Sequence, residues 1–148
     1  MLTVQSDEHY MREALKEARK AFDQDEMPVG AVVVCKDRII ARAHNQTEQL
    51  KDPTAHAEIL AITAACNYLG SKYLTECTLY VTLEPCSMCA GATFWAQMPK
   101  IVYGAHDMKR GYSIYNKNIV HPAAQVQSGL FATESEELLK EFFTKLRN

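Results

Sequence analysis

The chain has 148 residues, of which 47% are apolar, and it carries a formal net charge of −2 at pH 7. This composition excludes a disordered chain, and the charge excludes a strongly basic domain, so any nucleic-acid contact must come from a local patch. Five cysteines without the alternation of a disulfide framework, and the lack of an apolar run near the roughly 20 residues of a membrane span, favour a soluble cytoplasmic protein with free thiols.

The first predicted element is an amphipathic helix. Ser6 is a suitable N-cap, and apolar residues recur every three or four positions from residue 11 to residue 22. The polar stretch 23–26 and then Pro28 end this pattern. We therefore expect one helix whose apolar face packs on the rest of the protein.

A β-hairpin is expected next. The apolar, β-branched run 30–34 and the run 39–43 are separated by the polar pair Lys36-Asp37. The apolar residues are continuous rather than alternating, so we expect both strands to be covered on both faces.

A polar loop, residues 44–54, joins this hairpin to a second helix. Asn45 in the loop is interpreted, from its residue type, as a turn residue that bonds its own backbone. Thr54 is a suitable N-cap for the helix, which is expected at residues 55–68 and to end at Gly70. Its residues are almost all small or apolar, so we expect it to be buried.

The second half of the chain alternates strands and helices. We expect strands at 78–83, 101–104 and 125–127, a helix that Pro85 opens and that runs through Ala96, an irregular segment at 106–122 and a closing helix at 134–147. With the hairpin, this order predicts an α/β protein, a three-layer α/β/α arrangement with a mixed sheet of about five strands. No repeat or linker interrupts the pattern, so residues 1–148 are expected to form a single domain.

One imidazole and two thiols form a candidate metal site. Cys86 and Cys89 are three residues apart in the first turn of a predicted helix, so their sulfurs share one face and lie where the helix dipole favours thiolate. His56 stands at the start of another predicted helix. Two thiolates and one imidazole suit zinc, and three protein ligands leave the fourth position to water, as in catalytic zinc sites.

Glu58 turns this candidate metal site into a candidate active site. Residues two apart on a regular helix point to different sides. Either the helix is only beginning at His56, or the longer Glu58 side chain reaches back over the metal. In that position the carboxylate can take a proton from a water and deliver it to a leaving group.

Each motif alone also has a simpler interpretation. A Cys-x-x-Cys pair can be a redox pair or half of a structural zinc site, and a His-x-Glu pair can be a solvated first helical turn. Cys35, Cys66 and Cys77 are interpreted as small buried side chains, and His44 as a surface or turn residue. No fourth His or Cys stands at ligand spacing, so the combination favours catalysis.

The pattern His56-x-Glu58 with Pro85-Cys86-x-x-Cys89 resembles the signature of the zinc deaminases of cytidine and adenosine. Longer segments resemble the bacterial tRNA-specific adenosine deaminases in particular. These segments are 27–34 (MPVGAVVV), 52–58 (DPTAHAE), 78–86 (TLYVTLEPC) and 88–92 (MCAGA). The likeness covers nearly the whole chain, and the combination of segments is more specific than the metal motif.

This resemblance implies the cytidine deaminase-like fold and a homodimer with one zinc ion per subunit. It implies hydrolytic deamination of adenosine to inosine at the wobble position of a tRNA anticodon, with His56, Cys86 and Cys89 as zinc ligands and Glu58 as the proton shuttle. The substrate contacts that it implies are Val29 in the base pocket, Asn45 on the nucleoside, and Asp107, Lys109 and Phe143 on the anticodon loop. Asn45 is thus expected to bind substrate rather than only to shape a turn.

The chain departs from this family's pattern after residue 111. Tyr112 and Tyr115 stand where the family usually has small residues and serine. Each can stack on a base or pack at a dimer seam, and the sequence leaves both roles open. The basic tail is also short, with only Lys145 and Arg147, which weakens the expectation of tRNA binding more than that of deamination.

Two other functions stay open from the sequence. The metal motif is shared by deaminases of free bases or nucleosides such as guanine or cytosine, although the Phe142-Phe143 ending does not resemble the extended C-terminal segment expected of a guanine enzyme. A non-catalytic, zinc-stabilised RNA-binding module is the third possibility, and Glu58 argues against it because such a module needs no carboxylate there. Iron can occupy the same ligands as zinc.

Overall fold

The computed structural model describes residues 6–147. Its strands are β1 (Gly30–Cys35), β2 (Arg38–His44), β3 (Cys77–Leu83), β4 (Lys100–Ala105) and β5 (Gln125–Gln127). Its helices are α1 (Asp7–Asp23), α2 (Thr47–Leu50), α3 (Ala57–Leu69), α4 (Ser87–Trp95), α5 (Tyr112–Tyr115) and α6 (Ala132–Arg147), with a 3-10 turn at Lys117–Ile119. The strands form one sheet in the order β2-β1-β3-β4-β5. β1 is antiparallel to β2 and β3, while β3, β4 and β5 are parallel, which confirms the mixed five-stranded sheet.

Different helices cover the two faces of the sheet, which confirms the three-layer arrangement. The buried cluster on the α1 side consists of Tyr10, Met11, Ala14, Val32, Val34, Tyr80 and Val102. The cluster on the α3 and α4 side includes Val33, Leu79, Val81, Ile101 and Tyr103 of the strands with Ala57, Ala61, Ala65 and Ala90 of the helices. Alternate residues of a strand point to opposite faces, so both clusters draw on the same central strands, whose apolar runs are continuous.

The helix boundaries confirm two of the predicted signals. Ser6 caps α1, and its hydroxyl accepts a hydrogen bond of 3.2 Å from the backbone N–H of His9. Gly70 ends α3 with a φ of 64°, in the left-handed region where a side chain adds strain. No helix within residues 6–147 has both the length and the apolar content that crossing a bilayer requires.

The N-caps of the next two major helices differ from the prediction. His56 caps α3, and Thr54 instead forms a turn in which its backbone N–H and its hydroxyl donate to Asp52 at 2.8 and 2.7 Å. Cys86 caps α4, so Pro85 precedes the cap rather than standing inside the first turn. The metal-site candidates therefore lie at the helix starts themselves.

Two burial expectations are wrong in part. β1 is buried along its whole length, but β2 is an edge strand that exposes Arg38 and Arg42. α3 buries one face and exposes Thr63 and Ala64 on the other. A run of small apolar residues does not distinguish a helix packed on one face from one enclosed on all sides, because the exposed alanine costs little.

Several chain segments meet at one edge of the sheet. The strand register pairs Gly30 with His44 and Leu83 with Ala105, so the start of β1 lies beside the ends of β2, β3 and β4. The loops that continue from these strand ends lead to His56 and to the start of α4. Open α/β sheets bind ligands at the carboxyl ends of their strands, and the candidate site lies at this edge.

Candidate metal centre and active site

His56, Cys86 and Cys89 converge at the N-termini of α3 and α4. The Nδ1 atom of His56 lies 3.6 Å from Sγ of Cys86 and 3.5 Å from Sγ of Cys89, and the three potential ligand atoms are all within 4.8 Å of one another. A sulfur and an imidazole nitrogen bound to one tetrahedral zinc ion are separated by roughly 3.6 Å, given the usual bond lengths. The spacing of this cluster therefore fits a zinc ion.

The two helix starts make the cluster electropositive. His56 and Cys86 are N-caps whose side chains do not bond the first turn, and Cys89 lies within the first turn of α4. Unpaired N–H groups and the helix dipole at such a position favour negatively charged ligands. Hydrogen bonds with Cys89 and His56 lower the pKa of the Cys86 thiol to about 4.

Hydrogen bonding also orients the imidazole of His56. Its interaction with the Cys86 sulfur raises the pKa of the ring, and a further bond joins the ring to the backbone carbonyl of Pro53. A carbonyl partner of this kind is typical of metal-binding histidines, because it fixes the tautomer and the ring plane.

Glu58 lies in the first turn of α3, beside the cluster, with only 4% of its surface exposed. Burial raises the pKa of its carboxyl to about 7, and the carboxyl forms a hydrogen bond with Cys89. A carboxyl of this pKa can both accept and donate a proton near neutral pH. His56 is the cap of α3 and Glu58 its second residue, so the structure supports the first of the two alternatives, in which the helix is only beginning.

Two members of the cluster, His56 and Cys86, lie in the wall of a cavity of about 1210 Å³, and Cys89 is buried behind them. Val29, Asn45, His56, Glu58 and Cys86 are among its lining residues. The backbone N–H of Asn45 donates to the Val29 carbonyl at 3.0 Å, so these two predicted substrate residues are held side by side. Both are nearly fully buried.

Of the three remaining predicted substrate residues, only one lines the cavity. Asp107 lines the cavity, and its Oδ1 accepts hydrogen bonds of 3.0 Å from the backbone N–H groups of Lys109 and Arg110. Arg110 lines the cavity and Lys109 is not among the lining residues. In α6, Phe142 rather than Phe143 lines the cavity, with the two rings 5.5 Å apart.

The two tyrosines that depart from the family pattern have different positions. Tyr112 is buried in the core cluster on the α3 and α4 side, so neither role considered for it, base stacking or packing at a dimer seam, fits. Tyr115 is exposed and lines the cavity, and its hydroxyl donates to the carbonyl of Lys109 at 3.0 Å. Its ring is accessible to a base.

Two buried carboxylates of the cavity wall were missed by sequence reasoning. Glu26 accepts hydrogen bonds of 3.1 and 2.7 Å from the backbone N–H groups of Glu48 and Gln49, at the start of α2. Glu84 follows β3 directly and bonds the segment after β4. The only sequence signal for Glu84 is a charged residue between an apolar strand and the cysteine motif.

The other cysteines and His44 lie away from the cluster. Cys35 and Cys77 are buried and pair across β1 and β3, and Cys66 is half-buried. His44 bonds the Gln24 side chain at 2.9 Å. All five cysteines are free thiols.

A mixed five-stranded sheet that brings a His/Cys/Cys cluster and a buried Glu to two helix starts is typical of the zinc-dependent deaminases. The family model described as MafB19-like deaminase matches residues 5–147. The tRNA-specific adenosine deaminase of Aquifex aeolicus (strain VF5) is 47% identical over 145 residues, which are 95% of this chain and 96% of that protein. The chain therefore belongs to the deaminase family, in the group of the tRNA-specific adenosine deaminases.

Solved structures agree with this placement. A tRNA deaminase from work on A-to-I editing at the wobble position of transfer RNA superposes with a TM-score of 0.82 at 47% identity, over 88% of this chain and 99% of that one. A guanine deaminase from Bacillus subtilis superposes with a TM-score of 0.68 at 31% identity, over 97% and 94% of the two chains. The fold is therefore shared by deaminases of different substrates.

Proposed function

We propose that this chain deaminates adenosine to inosine at the wobble position of a tRNA anticodon, by zinc-dependent hydrolysis. The observation that carries the proposal is the cluster with Glu58 in the wall of a cavity of about 1210 Å³. This volume exceeds the roughly 300–1,000 Å³ of typical small-molecule pockets, and a nucleotide within an RNA loop requires such room. Identity of 47% to a tRNA-specific adenosine deaminase along nearly the whole chain supports the same substrate.

We assign one zinc ion per subunit to Nδ1 of His56 and the sulfurs of Cys86 and Cys89. The spacing of these atoms and the thiolate character of Cys86 support the assignment. When bound, zinc supplies a Lewis acid that brings the pKa of a coordinated water near 7.

Glu58 carries the protons in this proposal. Its carboxylate takes one proton from the water that adds to C6 of adenine and gives it to the ring nitrogen; it then takes the second proton from the hydroxyl formed at C6 and gives it to the amino group, which leaves as ammonia. The reaction consumes one water and one adenosine and yields one inosine and one ammonia. Burial raises the pKa of the Glu58 carboxyl to about 7, which suits it to both transfers near neutral pH.

Val29 and Asn45 are proposed to hold the flipped nucleoside. They are adjacent on the cavity wall, where Val29 offers an apolar surface and Asn45 an amide that can donate and accept. Tyr115 offers a stacking surface for a neighbouring base, since single-stranded RNA loops are bound largely by stacking on aromatic rings. Extruding a base from an anticodon loop costs less than extruding it from a duplex.

Asp107, Lys109 and Phe143 are proposed to contact the anticodon loop around the cavity mouth. Asp107 lines the cavity, Lys109 follows it in the same turn, and Phe143 is an exposed aromatic ring in α6 beside a lining residue. A cation and an aromatic ring at a rim suit the phosphates and bases of a single strand.

The proposal is tested with an anticodon stem-loop that carries adenosine at the wobble position. The zinc-loaded protein is expected to convert that adenosine, and no other, to inosine, as read by sequencing. A matched stem-loop with guanosine at the wobble position and unchanged adenosines elsewhere is the control. Chelation of the metal is expected to abolish the conversion and added zinc to restore it, whereas absence of inosine with zinc bound contradicts the proposal.

We also propose that the chain forms one domain over residues 1–148 and acts as a cytoplasmic homodimer. Trp95, with 76% of its surface exposed, and Met88, with 38%, are seven residues apart on α4 and so share one face beside the cavity. An exposed apolar face of this kind is typical of a subunit interface. Sedimentation at micromolar concentration is expected to give a dimer, and Trp95→Glu to give monomer.

A further inference from the structure

Glu84 is a buried carboxylate at the junction of β3 and the cysteine motif. It is 3% exposed and stands two residues before Cys86. Its Oε1 accepts a hydrogen bond from the backbone N–H of Asp107 at 3.1 Å and lies 3.3 Å from Nδ1 of His106. Its Oε2 accepts from the backbone N–H of Ser113 at 3.0 Å and from the Ser113 hydroxyl at 2.6 Å.

These donors all lie on one segment, residues 106–113, which continues from β4. The same segment is joined to the cysteine motif by the backbone, because the N–H of Tyr112 donates to the carbonyl of Pro85 at 2.9 Å. Through Asp107 and Arg110, and through Tyr115 just beyond it, the segment supplies a wall of the cavity. The fold thus connects this wall to the metal-site loop through the Glu84 side chain and through two backbone links, the Tyr112–Pro85 hydrogen bond and a β-bridge between Cys86 and Gly111.

We propose that Glu84 is a positioning residue for substrate binding: it holds segment 106–113 at a fixed distance from the cysteine pair, so that the wall formed by Asp107, Arg110 and Tyr115 meets the RNA loop. This inference rests on the proposed function. Glu84 touches neither the reacting atoms nor the metal ligands in this role, and it acts through the backbone that it bonds. Fixed placement of binding groups matters because displacements near 1 Å can reduce activity by about 100-fold.

The role requires a carboxylate and not merely a polar side chain of the same shape. Both oxygens of Glu84 accept from a backbone N–H, so both ends of the group must be acceptors. Glutamine has the same shape but offers one acceptor and one donor. In Glu84→Gln, therefore, one backbone N–H of the segment faces an NH₂ group, and that end of the segment is released.

The test compares Glu84→Gln with Glu17→Gln. Glu17 is another buried carboxylate, bonded to Lys20 at 2.8 Å and outside the cavity lining, so its substitution controls for the general cost of losing a buried acid. We measure kcat and KM on the wobble-adenosine stem-loop, zinc per chain, and hydrogen exchange at the amides of Asp107 and Ser113.

For Glu84→Gln we expect KM to rise about 10- to 100-fold while kcat and zinc content stay near wild type, because a binding wall has moved and the metal site has not. Exchange at Asp107 or Ser113 is expected to accelerate at least about tenfold. Glu17→Gln is expected to show neither change. A fall in kcat or in zinc content with unchanged KM overturns the inference, since Glu84 then acts through Cys86, and unchanged exchange at both amides overturns it equally.

Ser113→Ala keeps the inference testable if Glu84→Gln fails to fold. It removes the hydroxyl donor to Glu84 and leaves the backbone hydrogen bond of Ser113. A smaller rise in KM and a smaller acceleration of amide exchange are therefore expected. An unchanged KM and exchange rate contradict the inference. If the wild-type protein makes no inosine, the proposed function fails, and the exchange at Asp107 and Ser113 in these variants still decides whether Glu84 holds the segment.

Discussion

In the proposed mechanism, Glu58 is the side chain on which turnover depends most directly. It is buried beside the His/Cys/Cys cluster, and Glu58→Gln keeps its shape while removing its ability to carry a proton. We expect kcat on the stem-loop to fall by about 10²- to 10⁴-fold, the usual contribution of a general acid–base group, with zinc content unchanged. Metal analysis and single-turnover kinetics measure the two effects. Retained zinc with undiminished RNA-dependent function would instead identify a non-catalytic RNA-binding module.

Gly111 shows how closely the cavity wall is packed on Glu84. A Cβ atom at this position would lie 2.4 Å from both Cδ and Oε1 of Glu84 and 2.6 Å from the carbonyl oxygen of Asp107. We expect Gly111→Ala to lower the free energy of unfolding by about 1–3 kcal/mol, the usual cost of overpacking. Urea denaturation checks this through a lower midpoint at unchanged slope. A midpoint equal to that of wild type would show that segment 106–113 accommodates the added methyl group without loss of stability.

Site residues whose placement follows from local spacing are the ones that the sequence predicts correctly. The spacing of Cys86 and Cys89 follows from one helical turn, and their convergence with His56 is confirmed by the structure. Glu84 could not be found in this way, because its meaning depends on N–H donors 23 and 29 positions away. The sequence shows that a carboxylate is present but not which backbone meets it.

At the level of secondary structure, the expectations that rest on local signals are confirmed, and those that depend on tertiary position are wrong. The five strands and the ends of α1 and α3 follow from local signals: β-branched runs, Ser6 and Gly70. The exposure of β2 depends on its being the edge of the sheet, and strand order is a tertiary property. Thr54 is a suitable cap by residue type, but the chain folds it into a turn with Asp52 and caps α3 with His56 instead.

The start of α1 is joined to the sheet by Asp7, which bonds Tyr80 of β3 and forms an ion pair with Lys100 of β4 at 3.1 Å. Partial burial raises the pKa of Asp7, but the hydrogen bonds from Tyr80 and Lys100 outweigh it and hold the pKa below 3.8. Because the pKa of Asp7 is lowered in the folded state, the contribution of its carboxylate to the free energy of unfolding is complete above pH 3.8. This contribution is lost as pH falls through the folded-state pKa.

We therefore expect Asp7→Asn to lower the free energy of unfolding by about 1 kcal/mol at pH 7, a value limited by the partial exposure of the pair. The difference between wild type and variant should shrink as pH falls below about 3.8. Urea unfolding of both proteins at pH 7 and at pH 3 measures this difference in the free energy of unfolding. Any loss of metal in acid affects both proteins, so it cancels when the two are compared at the same pH. A difference that grows in acid contradicts the assignment.

On the scale of the whole molecule, the fold brings the ends of β2, β3 and β4 to one edge and places both the His/Cys/Cys cluster and the cavity there. That architecture does not determine the substrate, since a guanine deaminase shares it with a TM-score of 0.68. The walls around the edge differ between such enzymes more readily than the sheet does. Here the walls are α2, held by Glu26, and segment 106–113, held by Glu84.

The measurement that tests the central claim most directly is kcat/KM of the zinc-loaded protein on the wobble-adenosine stem-loop against its kcat/KM on free adenosine, adenine, guanine and cytosine. Ammonia release under identical conditions reports every reaction. We expect the stem-loop to exceed each free compound by at least about 100-fold, because the cavity walls bind the flanking nucleotides only in RNA. A free base, above all guanine, that is deaminated as fast as the stem-loop or faster would contradict the proposed function.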